Sequence, residues 1–337
     1  MAEPLGWLLK ARIVARTIRN LVTRRPLCAS FEVTHNCTAN CRHCDKGEEL
    51  DDHQVGPDEY GRICRSLRPV LAQVAGGEPL RRDDLPEVIR ALHRPGRPPF
   101  IAVITNGSLL TQEKYEILRE SGAHQFSISI DFPDSRHDDW RRIPGLFDHL
   151  SDVVPRLVSL GHGDVVMNCC MTRENYSEIL EIARLTRSWG VKLNFSTYTA
   201  LRTGNTELNL RHPRDTQRLD ELIDELYSGR PEYSSIMTSE RVMRRYSAFY
   251  RTCEVPGCRA GHRFLVVNPD GLLTPCAMHI ERRFATRREL IKGFTSGNRC
   301  GGCYISSRAN TEKSAWELLT DNLRFSRLSR SSSRAGA

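Results

Sequence analysis

Three cysteines within eight residues are the first feature of the sequence that can do chemistry. Cys37, Cys41 and Cys44 form a C-x3-C-x2-C array in the segment "EVTHNCTANCRHCDKG", residues 32–47, directly after the strand-like "CASFEV". A disulfide would leave one thiol over and is rare in a reducing compartment. A structural zinc site needs a fourth ligand, which His35 or His43 could supply. A four-iron cluster on three thiolates would leave one iron free, so spacing alone leaves zinc and iron–sulfur open.

A second set of four cysteines lies towards the C-terminus. The segment "CRAGHRFLVVNPDGLLTPC" predicts a β-hairpin that turns at "PDG", with Cys258 before it and Cys276 after it. Cys300 and Cys303 follow as a C-x2-C pair. Four thiols make a closed four-ligand site whose spacing also permits zinc. Cys253 is a spare thiol that could replace Cys258 as a ligand.

Composition limits the class of protein. The 337 residues, 39% hydrophobic and 27% charged, are typical of a globular chain. No run approaches eighteen apolar residues and no secretory signal begins the chain, so we expect a cytoplasmic protein with reduced thiols. Its twelve cysteines then favour metal binding. The net charge of +8 includes a basic tail, residues 320–337, which we expect to be flexible. The sequence has no dense basic run with interleaved aromatic residues, so we expect no nucleic-acid partner.

The elements that must position these cysteines alternate in type. The strand-like segments are 28–33, 70–75, 100–105, 125–130, 164–171 and 192–197. Helical patterns lie between them, as at 84–93, 112–122 and 176–190. Repeated β–α units predict an α/β fold with a parallel sheet, and six units favour a partial (β/α)6 TIM-like barrel over the full eight. Ligands of such sheets bind at the carboxyl ends of the strands, where the first cysteine array begins.

An N-terminal helix is predicted at residues 7–22, "WLLKARIVARTIRNLV". Apolar residues recur at helical spacing, and Arg12, Arg16 and Arg19 form a basic flank. We expect this helix to pack on the domain, with peripheral contact with a membrane surface as the alternative.

The placement of the first array resembles that of the radical S-adenosylmethionine (radical SAM) superfamily. In that family a C-x3-C-x-Φ-C loop after the first strand binds a [4Fe–4S] cluster, whose free iron chelates S-adenosylmethionine. His43 stands at Φ, where the family often has Tyr or Phe, so a ring remains near the adenine. The resemblance implies that Cys37, Cys41 and Cys44 are the metal ligands and the catalytic centre, at which one electron cleaves the cofactor to a 5′-deoxyadenosyl radical.

Further segments strengthen the resemblance. "VAGGEPL", "ITNGSLL" and "FSISID" resemble segments that end the family's second, third and fourth strands, and Arg141 or Arg142 of "HDDWRRIPGLFD" is a candidate for the methionine carboxylate. Asn106 capping a turn and Asp131 capping a helix are structural alternatives. The residues that the resemblance implies at the cofactor are His43, Gly76, Gly77, Glu78, Thr105, Asn106, Ser129, Asp131 and Arg142.

The second set resembles the family's SPASM/twitch extension through its C-x12-G-x4-C…C-x2-C pattern. The resemblance implies an auxiliary [4Fe–4S] cluster on Cys258, Cys276, Cys300 and Cys303, with a role in electron transfer. No cysteine follows Cys303, as expected of the single-cluster twitch type. The expected domains are an N-terminal helix at 1–27, the radical SAM barrel at 28–235, a small hairpin and helix domain carrying the auxiliary cluster at 250–310, and the tail.

The function implied is that of a radical SAM oxidoreductase. It would abstract hydrogen from an unactivated carbon of a small molecule or peptide in a biosynthetic or maturation pathway, with an electron donor such as flavodoxin or ferredoxin. No separate peptide-binding domain is evident at the N-terminus, so the layout does not favour a peptide. One alternative is a transferase that adds the adenosyl group to a lipid or alkene, since radical SAM enzymes of polyprenoid lipids can carry a similar lead segment. Another is a zinc-binding scaffold that docks nucleic acid.

Overall fold

A single sheet of eight strands organises the protein in the computed structural model, which describes residues 6–47, 52–314 and 316–317. The strand order is β6-β5-β4-β3-β2-β1-β7-β8. The strands are β1 Cys28–Thr34, β2 Leu71–Gly76, β3 Phe100–Thr105, β4 Gln125–Ser129, β5 Val165–Met171, β6 Lys192–Thr197, β7 Phe264–Val267 and β8 Leu273–Thr274. All neighbours pair in parallel except β7 and β8. The predicted tail at 320–337 lies outside the described residues.

Helices follow the strands in the predicted alternation. They are α1 Trp7–Val22, α2 Pro57–Leu67, α3 Leu85–Leu92, α4 Gln112–Glu120, α5 Arg136–Arg141, α6 Leu146–Ser159, α7 Ile179–Ser188, α8 Pro213–Leu226, α9 Glu240–Thr252, α10 Arg287–Gly293 and α11 Ser306–Thr311. Local signals explain several starts; the Thr111 hydroxyl, for example, accepts from the Lys114 amide at 3.2 Å and caps α4. The predicted α/β class and its partial six-unit barrel are confirmed, with each of the six predicted strands correct to within one residue at either end.

The two faces of the sheet differ in polarity. Ala29, Phe31 and Val33 of β1 are fully buried in the main apolar core, where the Phe31 ring meets Tyr60 of α2 edge-on. The alternate positions of the strands point the other way, as the period of two requires. We call this second surface the inner face; its half-buried residues include Ser30, Gln73, Ile104, Ser129, Asn168, Cys170, Lys192, Asn194 and Ser196. Most of these side chains are polar, so the inner face can hold a hydrogen-bonding ligand.

The predicted C-terminal hairpin continues the main sheet. β7 pairs in parallel with β1, with Cys28 opposite Phe264, and turns at residues 268–271 into β8. The predicted barrel unit ends at residue 235, but α9, which follows, is tied to the strands. The Tyr250 hydroxyl donates to the Met171 carbonyl of β5 at 2.5 Å, and the Tyr246 hydroxyl donates to the Phe195 carbonyl of β6 at 3.2 Å.

Helix α1 has the predicted bounds and lies at the amino ends of the strands. The Arg12 guanidinium donates to the Gly96 carbonyl at 2.7 Å, in the loop before β3. The Asn20 amide donates to the Arg68 carbonyl at 2.9 Å, in the loop before β2. Within the described ranges, no helix is long and apolar enough to cross a bilayer.

Candidate functional site

The loop that follows β1 brings three thiols together. Cys37, Cys41 and Cys44 are free and close enough for their charges to interact. Each sulfur accepts an N–H donor. The donors are the Ala39 amide to Cys37 Sγ at 3.4 Å, the Arg141 guanidinium to Cys41 Sγ at 3.6 Å, and the Lys46 amide to Cys44 Sγ at 3.4 Å. Burial raises the pKa of Cys41 to about 11, whereas donors and a nearby cation favour its thiolate.

The loop is held in place by the end of β3. The Asn106 side-chain amide donates to Thr38 Oγ1 at 2.9 Å and to Cys37 Sγ at 3.7 Å. Its oxygen accepts from the Ser108 amide at 2.9 Å, so the turn that was the structural alternative for Asn106 is also present. Asn106 therefore both closes its own turn and orients the cysteine loop. Thr38 was not predicted, because its hydroxyl meets Asn106 only through the fold.

Glu78 lies beneath this contact and has no solvent exposure. Its carboxylate accepts from the Thr105 hydroxyl at 2.7 Å and from the Asn106 amide at 2.7 Å. It also accepts from the Leu80 amide at 3.1 Å. Burial raises its pKa despite these donors. The structure thus unites the predicted residues Glu78, Thr105 and Asn106, with the carboxylate turned towards groups of the chain itself.

The paired glycines after β2 allow a close approach to the cysteine loop. Gly76 has φ +128°, and the Gly77 amide donates to the Thr34 carbonyl at 2.8 Å. A Cβ on Gly77 would lie 2.1 Å from the Asn36 carbonyl oxygen. The resemblance places these glycines beside the methionine amino group. In the structure they lie against residues 34–36, at the start of the cysteine loop.

A buried ion pair reaches the loop from the end of β4. Arg141 contacts the Asp131 carboxylate at 2.5 Å, and the Cys170 amide donates to the same carboxylate at 3.1 Å. Burial alone would raise the pKa of Asp131, but Arg141, His43 and His137 outweigh it and lower the pKa. Asp131 therefore stays ionised and holds Arg141 towards Cys41. Its carboxylate accepts from Arg141 and from the Cys170 amide, and it does not cap a helix, which was the structural alternative for Asp131. Ser129, two residues earlier, is half-buried on the inner face.

The arginine at the loop is Arg141, and its neighbour Arg142 points elsewhere. Arg142 is exposed and ends α5 with a left-handed φ of 55°. The sequence proposed either residue for the cofactor carboxylate but ranked Arg142 first, because a short helix gives no signal for which of two successive arginines turns inward. His43 stacks on Trp140 with ring centroids 5.4 Å apart. Burial lowers the pKa of His43 to about 4, so its ring is neutral at pH 7.

Charged groups that the sequence did not single out surround the other side of the loop. Lys46 contacts the Glu32 carboxylate at 3.2 Å, and His35 Nε2 lies 2.9 Å from it. Burial would raise the pKa of Glu32, but His35, Lys46 and Arg202 lower it to about 2. Arg202 also pairs with Asp45 at 2.6 Å and so connects the segment after β6 to the cysteine loop. No spacing pattern in the sequence predicts ion pairs between segments that are so far apart in the chain.

The second set of cysteines also converges, from three segments of the chain. Cys258 interacts electrostatically with Cys300, and Cys276 with Cys303 and Cys258. At three of these cysteines the sulfur accepts a hydrogen bond from the backbone amide two residues later in the chain. The pairs are Cys258 with Ala260, Cys276 with Met278, and Cys303 with Ile305. Burial raises the pKa of Cys303 to about 12. Cys276 and Cys258 also pack in a small apolar cluster with Cys28, at the amino end of β1.

Arg308 fixes the second set and was not predicted. Its side chain is fully buried and donates to the Cys303 carbonyl at 2.6 Å and to the Val255 carbonyl at 2.8 Å. The Glu312 carboxylate lies 2.9 Å from the Arg308 guanidinium and balances its positive charge. One guanidinium thus joins the C-x2-C segment to the chain that precedes Cys258. The spare thiol, Cys253, ends α9 with a left-handed φ of 52°.

The residues fit iron–sulfur clusters at both places. N–H groups aimed at sulfur and the guanidinium beside Cys41 favour thiolates, which are the ligands of such clusters. In the part of the chain that the structure describes, no three His, Cys, Asp or Glu side chains lie as close together as the ligands of a single metal ion would. By contrast, Cys64 and Cys169 are buried in the main core, and Cys170 is half-buried on the inner face.

Known proteins resemble this chain over most of its length. The radical SAM superfamily model matches residues 31–186. The AdoMet-dependent heme synthase of Methanosarcina barkeri is 26% identical, over 76% of this chain and 78% of its own. The mycofactocin maturase MftC of Mycolicibacterium smegmatis is 24% identical, over 80% and 68%.

A solved structure supports the fold independently. Streptococcus suis SuiB, bound to its precursor peptide SuiA, superposes with a TM-score of 0.60, covering 83% of this chain and 68% of SuiB. The sequence identity is 18%, so this likeness concerns the fold. The matched residues 31–186 run from β1 to α7 and include the first cysteine loop, the glycine pair, Asn106 and the Asp131–Arg141 pair. The chain therefore contains a radical SAM domain, at residues 31–186.

Proposed function

We propose that this enzyme is a radical SAM oxidoreductase that abstracts hydrogen from an unactivated carbon of a small molecule or peptide. The observation that carries the proposal is the loop of Cys37, Cys41 and Cys44, in which every sulfur accepts an N–H group. A four-iron cluster on these thiolates would supply the electron that cleaves S-adenosylmethionine to the 5′-deoxyadenosyl radical. The loop follows the carboxyl end of β1, where ligands of such barrels bind.

The chain's own groups have distinct tasks in this proposal. Arg141, held by Asp131, places positive charge at Cys41 and stabilises its thiolate. Asn106 fixes the start of the loop through Thr38. His43, neutral and stacked on Trp140, offers a ring beside the cysteines for the adenine. These groups bind and orient, and the cofactor carries out the chemistry.

The substrate would lie against the inner face of the sheet. Ser129, Asn168 and Lys192 offer hydroxyl, amide and amino groups there, and all three are half-buried. Such a surface suits a substrate rich in hydrogen-bonding groups. A peptide and a polar small molecule both meet this description. The names of two similar proteins, a mycofactocin maturase and SuiB bound to a precursor peptide, support the peptide.

The second set of cysteines would hold an auxiliary [4Fe–4S] cluster that transfers electrons. Four thiols, Cys258, Cys276, Cys300 and Cys303, would occupy all the irons of such a cluster and leave no position for S-adenosylmethionine. An electron carrier that accepts an electron from the substrate favours net oxidation. Flavodoxin or ferredoxin would be the external electron donor. The expected location of the enzyme is the cytoplasm.

The test uses protein purified without oxygen. About eight irons per chain and little zinc are expected, because each of the two sites would hold a four-iron cluster. With a reductant, the protein should cleave S-adenosylmethionine to 5′-deoxyadenosine. Zinc in place of iron, with no cleavage, would support the scaffold alternative. With candidate substrates, deuterium transferred into 5′-deoxyadenosine indicates abstraction, whereas an adenosylated product would support the transferase alternative.

A further inference from the structure

The outward side of α1 is apolar, and its inward side is polar. Trp7, Val14, Ile18 and Val22 are 74%, 53%, 58% and 78% exposed and share one side of the helix. Leu8 is 49% exposed beside them. We call these five residues the α1 stripe. Elsewhere in the described residues, the exposed large apolar side chains are Ile117, Leu201 and Trp316, which lie on other elements. The stripe is therefore the main apolar surface concentrated on one element.

Polar contacts hold the helix with the stripe outward. Arg12 and Asn20 donate to backbone carbonyls of neighbouring loops, and Arg16 donates to the Arg68 carbonyl at 3.3 Å. Of the apolar residues of α1, Leu9 is the buried one. Amphipathic helices of globular proteins usually place the apolar side inward. The expectation that α1 packs on the domain holds for its position, but its apolar side is left uncovered by the described chain.

Positive charge surrounds the stripe. Residues 6–27 contain six basic residues and no acidic one. Lys10 and Arg19 are exposed at the two margins of the stripe. Further cations join from other segments: Arg287 donates to the Arg24 carbonyl, and Arg68 and Arg94 lie close enough to act on Arg16. An apolar stripe with basic margins is the arrangement of helices that lie in a membrane interface.

We propose that α1 binds this enzyme to an anionic lipid membrane, with the α1 stripe entering the interface and the basic margins meeting lipid phosphates. Charge argues against the other occupants. A second copy would bring the same cations against each other. Residues 318–337 carry four arginines and one aspartate, so this segment would also be repelled. An anionic bilayer offers both the apolar layer and the opposite charge.

The place of α1 in the fold sets the orientation of the bound enzyme. α1 contacts the loops before β2 and β3, whereas the cysteine loop follows the other end of β1, about 20 Å away for a seven-residue strand. The proposed radical site would face away from the bilayer and take its substrate from solution. This orientation rests on the proposed function; the membrane contact does not.

The first test measures binding of the full chain to vesicles. Wild-type protein should co-sediment with phosphatidylcholine vesicles containing phosphatidylglycerol, and added salt should weaken binding because it screens the charges. The double variant Val14→Glu/Ile18→Glu should bind at least about tenfold more weakly, since it places charge in the interface. Lys10→Glu/Arg19→Glu should weaken binding about tenfold or more. Ile117→Glu, at an exposed apolar position of α4, is the matched control and should bind like wild type.

The second test needs no charged variant, so it does not depend on how such variants fold. Brominated lipids should quench the fluorescence of Trp7 in anionic vesicles. Trp7→Phe should abolish the quenching and Trp316→Phe should retain it, although Trp316 is 67% exposed. The proposal is overturned if the wild-type protein does not bind anionic vesicles at low salt, or if Trp316→Phe abolishes the quenching and Trp7→Phe does not. A dimer in solution that Val14→Glu/Ile18→Glu dissociates, without vesicle binding, would assign the stripe to a second copy instead.

Discussion

The two cysteine sites share a local motif but are assembled differently. In both, a backbone amide faces a cysteine sulfur from two residues later, as at Cys37 and Cys44 in the first site and at Cys258 and Cys303 in the second. The first site draws three thiols from one loop of eight residues. The second draws four from three separate segments. The spacing of the first three thiols alone brings them near one another, although Asn106 and Arg141 then hold the loop, whereas the second site needs three segments to meet before its thiols are close.

The buried arginines of the two sites show the same contrast. Arg141 donates to a cysteine sulfur and is held there by Asp131. Arg308 donates to carbonyls of Cys303 and Val255 and is balanced by Glu312. The first guanidinium donates directly to a cysteine sulfur, whereas the second donates to backbone carbonyls and acts on Cys258 and Cys303 through its charge. We therefore expect substitutions around the first site to change its reactivity, and substitutions around the second site to disrupt its assembly.

The largest effect should follow loss of a first-site thiol. Cys41→Ala should abolish cleavage of S-adenosylmethionine and lower iron from about eight to about four per chain, since one four-iron cluster is lost. Anaerobic iron analysis and chromatography of 5′-deoxyadenosine measure both. Cys64→Ala, in the main core, is the control and should keep its iron. Cleavage by the Cys41 variant at the wild-type rate would contradict the assignment.

The second site should separate cleavage from product formation. Cys276→Ala should lose about four irons, because one cube is lost, yet retain some cleavage that is uncoupled from substrate. Product should disappear, since the electron from the substrate has no acceptor. The same two assays measure the result, with substrate added. Full turnover by this variant would remove the proposed role of the second set.

Steric contact gives a prediction specific to the first loop. Gly77→Ala would place a Cβ 2.1 Å from the Asn36 carbonyl oxygen, and backbone cannot yield as a flexible side chain would. The loop must shift, so iron at the first site should be lost while about four irons remain at the second. Gly56→Ala has nothing within 4 Å of its added Cβ and should leave both sites loaded. Equal iron in the two variants would disprove the loop's dependence on Gly77.

A smaller effect is expected from the ion pair of Asp131 and Arg141. Asp131→Asn leaves the Arg141 charge buried without its partner, which should lower the free energy of unfolding by about 3 kcal/mol. Asp134→Asn removes one partner of the exposed Asp134–Arg136 pair and should cost less than about 1 kcal/mol. Urea unfolding of both variants measures the difference. Equal losses would mean that the buried pair contributes no more than the exposed one.

Local patterns predicted much of this molecule. The six barrel strands follow from short apolar runs, and the spacing of Cys37, Cys41 and Cys44 marks them as a candidate metal site, with the kind of metal left open. What the sequence could not supply depends on contacts between distant segments. Arg308 meets Val255, and Arg202 meets Asp45, through the tertiary fold. Neither pair leaves a periodic signal in the chain.

The N-terminal helix shows a second limit of sequence patterns. Its periodicity predicted α1 to the residue, Trp7–Val22, because spacing determines which side chains share a side. It could not predict which side faces the protein. Arg12 and Asn20 find carbonyl acceptors at the amino ends of β2 and β3, and those acceptors turn the polar side inward. Burial of apolar area, the usual rule, did not decide the orientation of this helix.

Strand β1 has a consequence for the path of an electron. Its carboxyl end leads to Cys37, and its amino end carries Cys28, which packs with Cys276. Under the proposed function, a substrate on the inner face lies between a donor and an acceptor at opposite ends of one strand. The first thiols would hold the group that supplies the cleaving electron, and the second set would hold the group that receives an electron from the substrate radical. The length of one strand would therefore separate the source of the first electron from the acceptor of the second.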